Sequence, residues 1–399
     1  MATPLQIEIS GSRMRVLRIA HASLTPALRE RERALARGYT DIDLEVVTTS
    51  RWREAEVDVD AVDDDLFPVI KARPRLSKHI QLFAYEPGPI VAALRRHRPH
   101  LIDLNHEPYS VACAEVLSLC SWYAPQAVVV LQTCQNIFHR YPPPFNWLER
   151  RALRRVAAAH VCSETVRELL RAKGFKNPVA IVPFGVNTEA FCPRGAFTRE
   201  SKQSPTIGFV GRMLPGKGLN ILADALAQLG SEKWNVLLVG EGSERNNFET
   251  TLAARGLLDR AHFTGAISYD RVPDLYQQMD MLVVPTQTTS RIREQFGRVL
   301  VEAMASGLPV VGSSCGAIPE VIDDAGLIVP EGNSAALAAA LRRLLLDCAL
   351  REELTRAGRR RVMRHYSWDR VADKMHEMFL QVLRNEKVAA LSQNLEFAA

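Results

Sequence analysis

The sequence predicts an α/β protein built from two doubly wound, Rossmann-like domains. Short apolar runs alternate with amphipathic stretches, the same alternation restarts after a charged segment at 188–205, and glycines follow several of the apolar runs. Alternation of this kind is typical of a parallel sheet with helices on both faces. The length of 399 residues is enough for two domains, each with its own core.

Strands and helices are expected to alternate through the first half of the chain. Strands are predicted at 14–20, 43–49, 101–104, 127–131 and 179–183, with a strand-to-helix junction at 160–164. Helices are predicted at 27–38, at 89–99, from about residue 111, and at 148–159. Gly38 and Pro99 are residues that typically end the helices preceding them. The acidic run 54–65 is predicted to be a solvated loop.

The second half repeats this order after the predicted linker. Strands that run into turns are predicted at 206–212, 234–242, 279–286 and 307–314, and a helix is predicted at 219–229. The repetition of the pattern is the reason for expecting two separate parallel sheets and not one large one.

The composition excludes several classes of protein. Hydrophobic residues make up 47% and charged residues 24%, which is the mix of a soluble globular protein. Residues 1–200 hold 27 basic and 22 acidic side chains and residues 201–399 hold 23 of each, so the net charge of +5 lies in the first half. This excess is too small for a dedicated nucleic-acid-binding protein. Basic clusters at 29–37, 73–78, 95–98 and 150–155 are compatible with weak contact with an anionic membrane.

The cysteines and the apolar stretches indicate a cytoplasmic protein, either free or peripheral at the inner face of the membrane. None of the seven cysteines has the CxxC spacing of a zinc ribbon, and their odd number suits a reducing compartment. The N-terminus lacks the apolar core of a secretory signal. Residues 116–139 are nearly uncharged, but Pro125 and a strand-like run interrupt them, so a transmembrane helix is not expected there.

Two glycine turns suit a ligand that carries phosphate. Residues 211–218 read GRMLPGKG after a strand and nearly match a P-loop, but Gly218 stands where that pattern needs a magnesium-binding hydroxyl. A glycine turn with Arg212 and Lys217 before a helix still suits an anionic diphosphate, and an ordinary turn with two solvated cations is the alternative. Residues 239–245 contain two of the three glycines of a dinucleotide fingerprint, which is weak evidence for NAD.

Two carboxylates follow in the stretch EQFGRVLVE. On one helix, Glu294 and Glu302 would be separated by about 12 Å of rise, which is too far to share one proton. The spacing suits two acceptors at opposite ends of an extended ligand. Phe296 and Gly297 are predicted to lie at the helix start, where free N–H groups bind anions. Two unrelated surface carboxylates are the alternative for this pair taken alone.

Together, these motifs resemble those of the family-4 retaining glycosyltransferases, which have the GT-B fold. The matching stretches occur in the family's order and cover about residues 180–375. They are IVPFGVNTEAFCP (181–193), IGFVGRMLPGKG (207–218), LLVGEGSER (237–245), DMLVVPT (280–286), EQFGRVLVEAMASGLPVV (294–311) and YSWDRVADKM (366–375). LIDLNHEP (101–108) extends the resemblance weakly into the first half.

The resemblance implies two Rossmann-like domains that face each other across a cleft. Residues 1–187 would bind the acceptor and residues 206–367 the nucleotide-sugar donor, joined by the linker 188–205. A C-terminal helix at about 368–386 would pack back on the first domain, and 388–399 would form a tail.

The resemblance also implies the donor site. Arg212 and Lys217 match the pair that binds the diphosphate and Glu294 matches the carboxylate that holds sugar hydroxyls, so these are the candidate catalytic residues. Glu302 matches the ribose ligand. The remaining candidate donor-binding residues lie in the same motifs: Gly211, Glu241, Phe296, Gly297, Arg298 and Val299.

The acceptor side departs from the family's pattern. Its candidates are His21, Glu107 and His106, with a structural role as the alternative for His106. Many members carry a His after the strand AVVVL. This chain has Gln132 there, which cannot take a proton but can hydrogen-bond a sugar hydroxyl. Many members also have a glycine-rich loop after the first strand, whereas this chain has HASLTPALRER (21–31).

The predicted function is therefore transfer of a hexose-type sugar from a UDP- or GDP-sugar to a glycan, glycolipid or polysaccharide precursor. The resemblance implies retention of anomeric configuration and no need of a metal or other cofactor. Asp-x-Asp sequences at 41–43 and 58–60 are expected to be chance matches to the metal motif of another glycosyltransferase fold. A catalytically silent protein that binds nucleotide sugars is the alternative. The expected partners are the donor, the acceptor and an anionic membrane, but not nucleic acid.

Overall fold

A computed structural model describes residues 13–54, 57–76, 79–193 and 204–384 of the chain. The chain divides into two compact units. The first ends at Pro183 and takes up the chain again from Val371, and the second is Phe184–Arg370. The predicted linker 188–205 lies largely outside the described residues, and the predicted tail 388–399 lies outside them entirely.

Strands and helices alternate through the first unit. Its strands are β1 (Met14–Ala20), β2 (Ile42–Thr49), β3 (Arg51–Glu54), β4 (Val57–Asp60), β5 (Val69–Ala72), β6 (Pro74–Arg75), β7 (Ala84–Tyr85), β8 (Leu101–Asn105), β9 (Val128–Gln132), β10 (Ala158–Val161) and β11 (Val179–Ile181). Its helices are α1 (Glu30–Gly38), α2 (Pro87–His97), α3 (Val111–Tyr123), α4 (Phe145–Arg155) and α5 (Glu164–Ala172). A 3₁₀ turn, Pro26–Leu28, precedes α1.

Seven of these strands form one parallel sheet in the order β11-β10-β9-β8-β1-β2-β5. Two antiparallel pairs, β3–β4 and β6–β7, accompany it. The strand order reverses between β1 and β8. In doubly wound sheets the crevice at the carboxyl ends of such a pair is the usual place for a ligand.

The second unit has the same architecture. Its strands are β12 (Thr206–Val210), β13 (Asn235–Val239), β14 (Ala261–Gly265), β15 (Met281–Val284), β16 (Val310–Ser313) and β17 (Leu327–Val329). Its helices are α6 (Leu219–Ala227), α7 (Arg245–Ala254), α8 (Val272–Tyr276), α9 (Arg298–Ala305), α10 (Ile318–Ile322), α11 (Ser334–Leu346) and α12 (Cys348–His365). The parallel sheet has the order β14-β13-β12-β15-β16-β17, which is the Rossmann order, and it reverses between β12 and β15.

Apolar side chains on the strands and on the inner faces of the helices form the core of the second unit. Ile207 of β12 and Met281 of β15 are fully buried, as are Leu222 and Leu226 of α6. The two leucines are four residues apart and therefore lie on one face of the helix. Burial contributes about 1.5–3 kcal/mol for each such side chain. This packing fixes the strand ends that carry the candidate site.

The last helix, α13 (Trp368–Leu383), begins in the second unit, and the rest of it belongs to the first. Tyr39, which follows α1, stacks on His376 with ring centroids 3.8 Å apart. Its hydroxyl donates to Asp373 at 2.6 Å, and His376 Nε2 lies 2.9 Å from Asp41 Oδ2. The end of the described chain thus completes the first unit beside the start of β2.

The acidic run 54–65 is not the solvated loop that its composition predicts. Part of it forms β4, whose Asp60 pairs with Arg51 of β3 through two contacts of 2.5 and 2.9 Å. The Asp64 side chain is buried and pairs with Arg33 at 2.6 Å. The prediction was wrong because the cations that neutralise this run lie elsewhere in the chain.

The basic cluster 29–37 is only partly exposed, with Arg37 at the surface. Arg29 is fully buried and Arg31 is 8% exposed, so neither is available to a membrane surface. The clusters 95–98 and 150–155 do present exposed arginines.

Candidate functional site

The candidate donor residues lie in loops at the carboxyl ends of neighbouring strands in the second unit. Gly211 and Arg212 follow β12, Glu241 follows β13, and Glu294 lies in the segment between β15 and α9. These strands flank or adjoin the point where the strand order reverses. The fold therefore brings the sequence-predicted donor residues to the edge where doubly wound sheets bind ligands.

Backbone contacts hold two of these loops together. Gly240 has a φ of 130°, and a Cβ at this position would overlap the carbonyl oxygen of Gly211. The backbone N–H of Met213 donates to the carbonyl of Glu241 at 2.8 Å. Because only glycine allows so close an approach, the loops that carry Arg212 and Glu241 form one fixed edge.

Gly218 explains why the P-loop pattern is incomplete. It is the N-cap of α6 with a φ of 75°, and a Cβ there would overlap the carbonyl oxygen of Pro285. Ser or Thr does not fit this position. The carbonyl of Gly216 accepts a hydrogen bond from the backbone N–H of Gln287 at 2.8 Å, which ties the loop of Lys217 to the segment after β15.

Lys217 and Glu294 form an ion pair at this edge. Lys217 Nζ lies 2.8 Å from Glu294 Oε2, which also accepts a hydrogen bond from Thr286 Oγ1 at 3.3 Å. The two side chains are 25% and 14% exposed, so both are partly accessible. The backbone N–H of Ala317 donates to the Glu294 carbonyl at 3.1 Å and fixes this loop. The ammonium group of Lys217 and the carboxylate of Glu294 thus lie next to each other, and both are partly accessible to a ligand.

Glu294 and Glu302 do not share a helix, so the separation expected from their spacing is wrong. The helix α9 begins at Arg298 after its N-cap Gly297, which has a φ of 84°, and Glu294 precedes it in a loop. The predicted helix start at Phe296–Gly297 is confirmed. A Cβ at Gly297 would lie 3.7 Å from Glu294 Cγ, so the carboxylate lies beside the first turn of α9. The first N–H groups of a helix have no partner within it.

The other candidate residues of this segment differ in exposure. Phe296 is buried against the rings of Phe184 and Tyr366, with centroids 5.5 and 5.6 Å away. Its side chain therefore belongs to the packing, and its backbone is the part that can meet a ligand. Arg298 is exposed and Val299 is partly buried.

Glu302 is buried between two tyrosines. The Tyr269 hydroxyl donates to Oε1 at 3.0 Å and the Tyr276 hydroxyl to Oε2 at 3.1 Å, while Arg298 lies 3.8 Å away. Burial raises the pKa of Glu302 despite these partners. No sequence pattern indicates either tyrosine, because they lie 33 and 26 residues before Glu302, outside the motifs.

The side chain of Glu241 pairs with a residue close to it in sequence. It forms an ion pair with Arg245, four residues on, and the guanidinium of Arg245 lies 5.4 Å from the ring centre of Phe263. Arg245 stands where a dinucleotide fingerprint has its third glycine. In this structure its side chain pairs with Glu241.

In the first unit, His21 and His106 come together after β1 and β8. Their rings stack with centroids 5.3 Å apart, and the Tyr85 hydroxyl lies 2.9 Å from His106 Nε2. Trp52 and Phe83 extend this aromatic cluster. Burial lowers the pKa of His21 to about 4 and holds the pKa of His106 well below its usual range. Both imidazoles are therefore neutral near pH 7.

The low pKa of His21 makes a prediction about acid stability. Unfolded His21 binds a proton near pH 6.5 and the folded form only near pH 4. Stability should therefore be lost as the pH falls through this window, by about 3 kcal/mol for this residue. We expect His21→Gln to narrow the difference between the urea midpoints at pH 7 and pH 4.5, and the exposed His262→Gln to leave it unchanged. An unaltered difference in His21→Gln would contradict the burial of a neutral imidazole.

Glu107 and Gln132 are both held by neighbours. Glu107 accepts hydrogen bonds from Thr133 Oγ1 at 2.5 Å and from the backbone N–H of Cys134 at 3.1 Å, and burial raises its pKa. Gln132 is 4% exposed, and its Oε1 accepts from two arginines. A contact of Gln132 with a sugar hydroxyl stays a prediction.

One of those arginines, Arg18, is the centre of a buried charge network that the sequence analysis missed. It pairs with Asp103 and with Glu32 and donates to Gln132 at 2.8 Å. Asp103 also lies 2.8 Å from His160 Nε2. Burial opposes the ionisation of Asp103, but the charge of Arg18 and the hydrogen bonds from Arg18 and His160 outweigh it and lower its pKa to about 2.

The chain is similar in sequence to known glycosyltransferases. The family model for glycosyl transferases group 1 matches residues 196–361, and the model for Glycosyltransferase Family 4 matches residues 28–190. The 2-deoxystreptamine glucosyltransferase of Streptomyces kanamyceticus is 30% identical over 295 residues, which are 70% of this chain and 69% of that protein. The phosphatidyl-myo-inositol mannosyltransferase of Mycobacterium leprae is 34% identical over 203 residues, 50% of this chain and 52% of that protein.

Solved structures show the same fold. The sucrose-phosphate synthase of Thermosynechococcus elongatus superposes with a TM-score of 0.71 at 21% identity and covers 94% of this chain and 100% of its own. The two Rossmann-like sheets are those of a GT-B glycosyltransferase. With a family model matching part of each unit and a relative aligned over most of the chain, this protein belongs to the family-4 glycosyltransferases of glycosyl transferases group 1.

Proposed function

We propose that this glycosyltransferase is metal-independent and retaining, and that it moves a hexose-type sugar from a UDP- or GDP-sugar to a glycan, glycolipid or polysaccharide precursor. The observation that carries the proposal is the convergence at one sheet edge of the Lys217–Glu294 pair, the exposed Arg212 and the first turn of α9. Cations and helix N-termini bind diphosphate, and a carboxylate beside them can accept from sugar hydroxyls.

The charge on the leaving group explains why this arrangement would catalyse transfer. When the bond between the anomeric carbon and the phosphate oxygen breaks, negative charge develops on the departing nucleoside diphosphate. Arg212 and Lys217 stabilise that charge more strongly as the bond breaks, which lowers the barrier. The acceptor hydroxyl attacks from the same face, and its proton passes to the departing phosphate oxygen. The anomeric configuration is then retained.

Glu294 and Glu302 would bind opposite parts of the donor. Glu294 is partly exposed and fixed by Lys217, so it can accept from hydroxyls of the sugar. Glu302 lies on α9, one turn beyond the helix start, and would accept from the ribose hydroxyls. The tyrosines that hold its carboxylate would set its orientation.

Turnover of a panel of donors tests this proposal. We expect one UDP- or GDP-sugar to raise the melting temperature by mass action and to be consumed with the acceptor, with activity unchanged by EDTA. The acceptor panel should include phosphatidylinositol and 2-deoxystreptamine, which the names of the two relatives mention. NMR of the product reports the anomeric configuration. Donor binding without turnover of any acceptor or water would favour the catalytically silent alternative, and an inverted product would contradict the mechanism.

The role of Glu302 makes a separate prediction. Glu302→Gln keeps hydrogen-bonding groups for the two tyrosines but loses the charge that would accept from ribose. We expect nucleotide binding to weaken by about 1.5–3 kcal/mol, the range for hydrogen bonds to a charged group, with little change in melting temperature. By calorimetry, a 2′-deoxynucleotide should bind the wild type less tightly than the ribonucleotide does, and the variant should reduce this gap. Equal affinities in the wild type would remove Glu302 from the ribose site.

A further inference from the structure

Three helices of the first unit form one surface that the proposed chemistry does not use. Arg155 at the end of α4 donates from Nε to Ser121 Oγ of α3 at 3.4 Å. Arg95 of α2 lies over the ring of Tyr123 at the end of α3, 4.8 Å from its centre. The three helices therefore lie side by side, with α3 in the middle.

Two tryptophans project from this surface. Trp122 of α3 is 81% exposed and Trp147 of α4 is 59% exposed, although large aromatic side chains contribute most to folding when they are buried. By contrast, Trp52 and Trp234 are buried. The exposed pair thus needs an explanation other than packing of this chain.

A row of arginines connects the two tryptophans. Trp147, Arg151, Arg154 and Arg155 occupy positions i, i+4, i+7 and i+8 of α4, so they share one face over about 12 Å. The three arginines are exposed, and Arg155 reaches the turn of α3 that carries Trp122. Arg151 also lies 5.7 Å from the ring centre of Trp147.

The carboxylates of the same helices do not neutralise this row. Glu149 of α4 is 9% exposed and pairs with Lys173. Glu115 of α3 accepts a hydrogen bond from the backbone N–H of Tyr85 at 2.7 Å. The surface therefore combines net positive charge with aromatic side chains at both ends.

We propose that this face of α2, α3 and α4 docks on an anionic lipid bilayer. Arginines attract anionic headgroups, and tryptophan is the side chain that most favours the interface between headgroups and acyl chains. A second copy of the chain suits the surface less well, because a twofold contact would bring the same arginines face to face. Across the described ranges, no helix has the length and apolar character to cross a bilayer, so the contact would be peripheral. The inference does not depend on which donor is used.

Flotation with vesicles of phosphatidylglycerol and phosphatidylcholine tests the proposal at low salt, with pure phosphatidylcholine vesicles for comparison. The wild type should float with the anionic vesicles and be released by salt, since screening weakens the attraction. Replacing Arg151, Arg154 and Arg155 with Gln should lower the partition coefficient about fivefold per charge, or on the order of 100-fold together. The matched control replaces three exposed arginines of α12, Arg356, Arg360 and Arg364, with Gln and should retain most of the binding.

Tryptophan fluorescence supplies a second measurement. Anionic vesicles should shift the emission of the wild type to shorter wavelength, and Trp122→Ala with Trp147→Ala should abolish the shift without lowering the melting temperature. The proposal is overturned if the wild type stays at the bottom of the gradient, or if the α12 variant loses binding as much as the α4 variant does. A dimer in solution that dissociates on the tryptophan substitutions would also overturn it, in favour of self-association.

Discussion

Lys217→Met should lower kcat by about 10²–10³-fold, the range for losing one preorganised group that stabilises developing charge. The methionine keeps the length of the side chain but not the cation next to Glu294. Because Lys217 is partly exposed and its backbone loop is fixed by other contacts, the melting temperature should change little. Steady-state kinetics with saturating donor measure the effect, and Arg212→Ala should reduce turnover to a similar degree.

The matched control is Lys233→Met, an exposed lysine of the same unit that precedes β13. It should retain full activity. If Lys217→Met and Arg212→Ala both stay within threefold of the wild type, these residues do not stabilise the leaving group, and the proposed mechanism fails even if the protein transfers sugar.

Arg18→Met should destabilise the protein by about 3–5 kcal/mol, the usual result of removing one partner from a buried ion pair. The buried cations Arg18 and Arg31 match the carboxylates of Glu32 and Asp103, so the substitution leaves one negative charge in excess inside the first unit. The melting temperature should fall by about 6–20 °C for a unit of this size. Differential scanning calorimetry measures the change.

Arg37→Met, an exposed substitution at the end of α1, serves as the control and should have almost no effect. A second variant separates charge from packing. Adding Asp103→Asn to Arg18→Met removes the excess charge and should recover part of the lost stability. If the double variant is less stable than Arg18→Met alone, the cost lies in packing and not in the unpaired carboxylate.

The parts of the molecule that the sequence predicted are those encoded by neighbouring residues. The strand β1 was predicted with its observed ends, and a glycine turn was predicted at 211–218, between β12 and α6, because apolar runs and glycines act within a few residues. The start of α9 was predicted for the same reason. The failures concern partners that are distant in sequence. Tyr276 reaches Glu302 from 26 residues away, and no pattern in either segment indicates the contact.

The charged segments of the sequence were the least reliable guide to which side chains are exposed. The basic cluster 29–37 was expected to be compatible with contact with a membrane, but Arg29 and Arg31 are buried, where Arg29 pairs with Asp64 and Arg31 with the adjacent Glu32. Asp64 belongs to the acidic run 54–65. The expectations for the basic cluster and for the acidic run therefore failed at the same ion pair. The composition of a segment does not distinguish a side chain that is charged in solvent from one, such as Arg29, that is buried and paired with a residue 35 positions away.

The return of α13 to the first unit determines when that unit can be completed during synthesis. His376 and Asp373, which contact Tyr39, leave the ribosome only after all of Phe184–Arg370 has been made. At about 5–20 residues per second, this delay is on the order of 10–40 s. The nascent first unit must wait through this interval with the surface around Tyr39 uncovered, whereas the second unit is contiguous and can fold as it emerges. A C-terminal truncation that removes α13 should therefore impair the folding of the first unit more than the folding of the second.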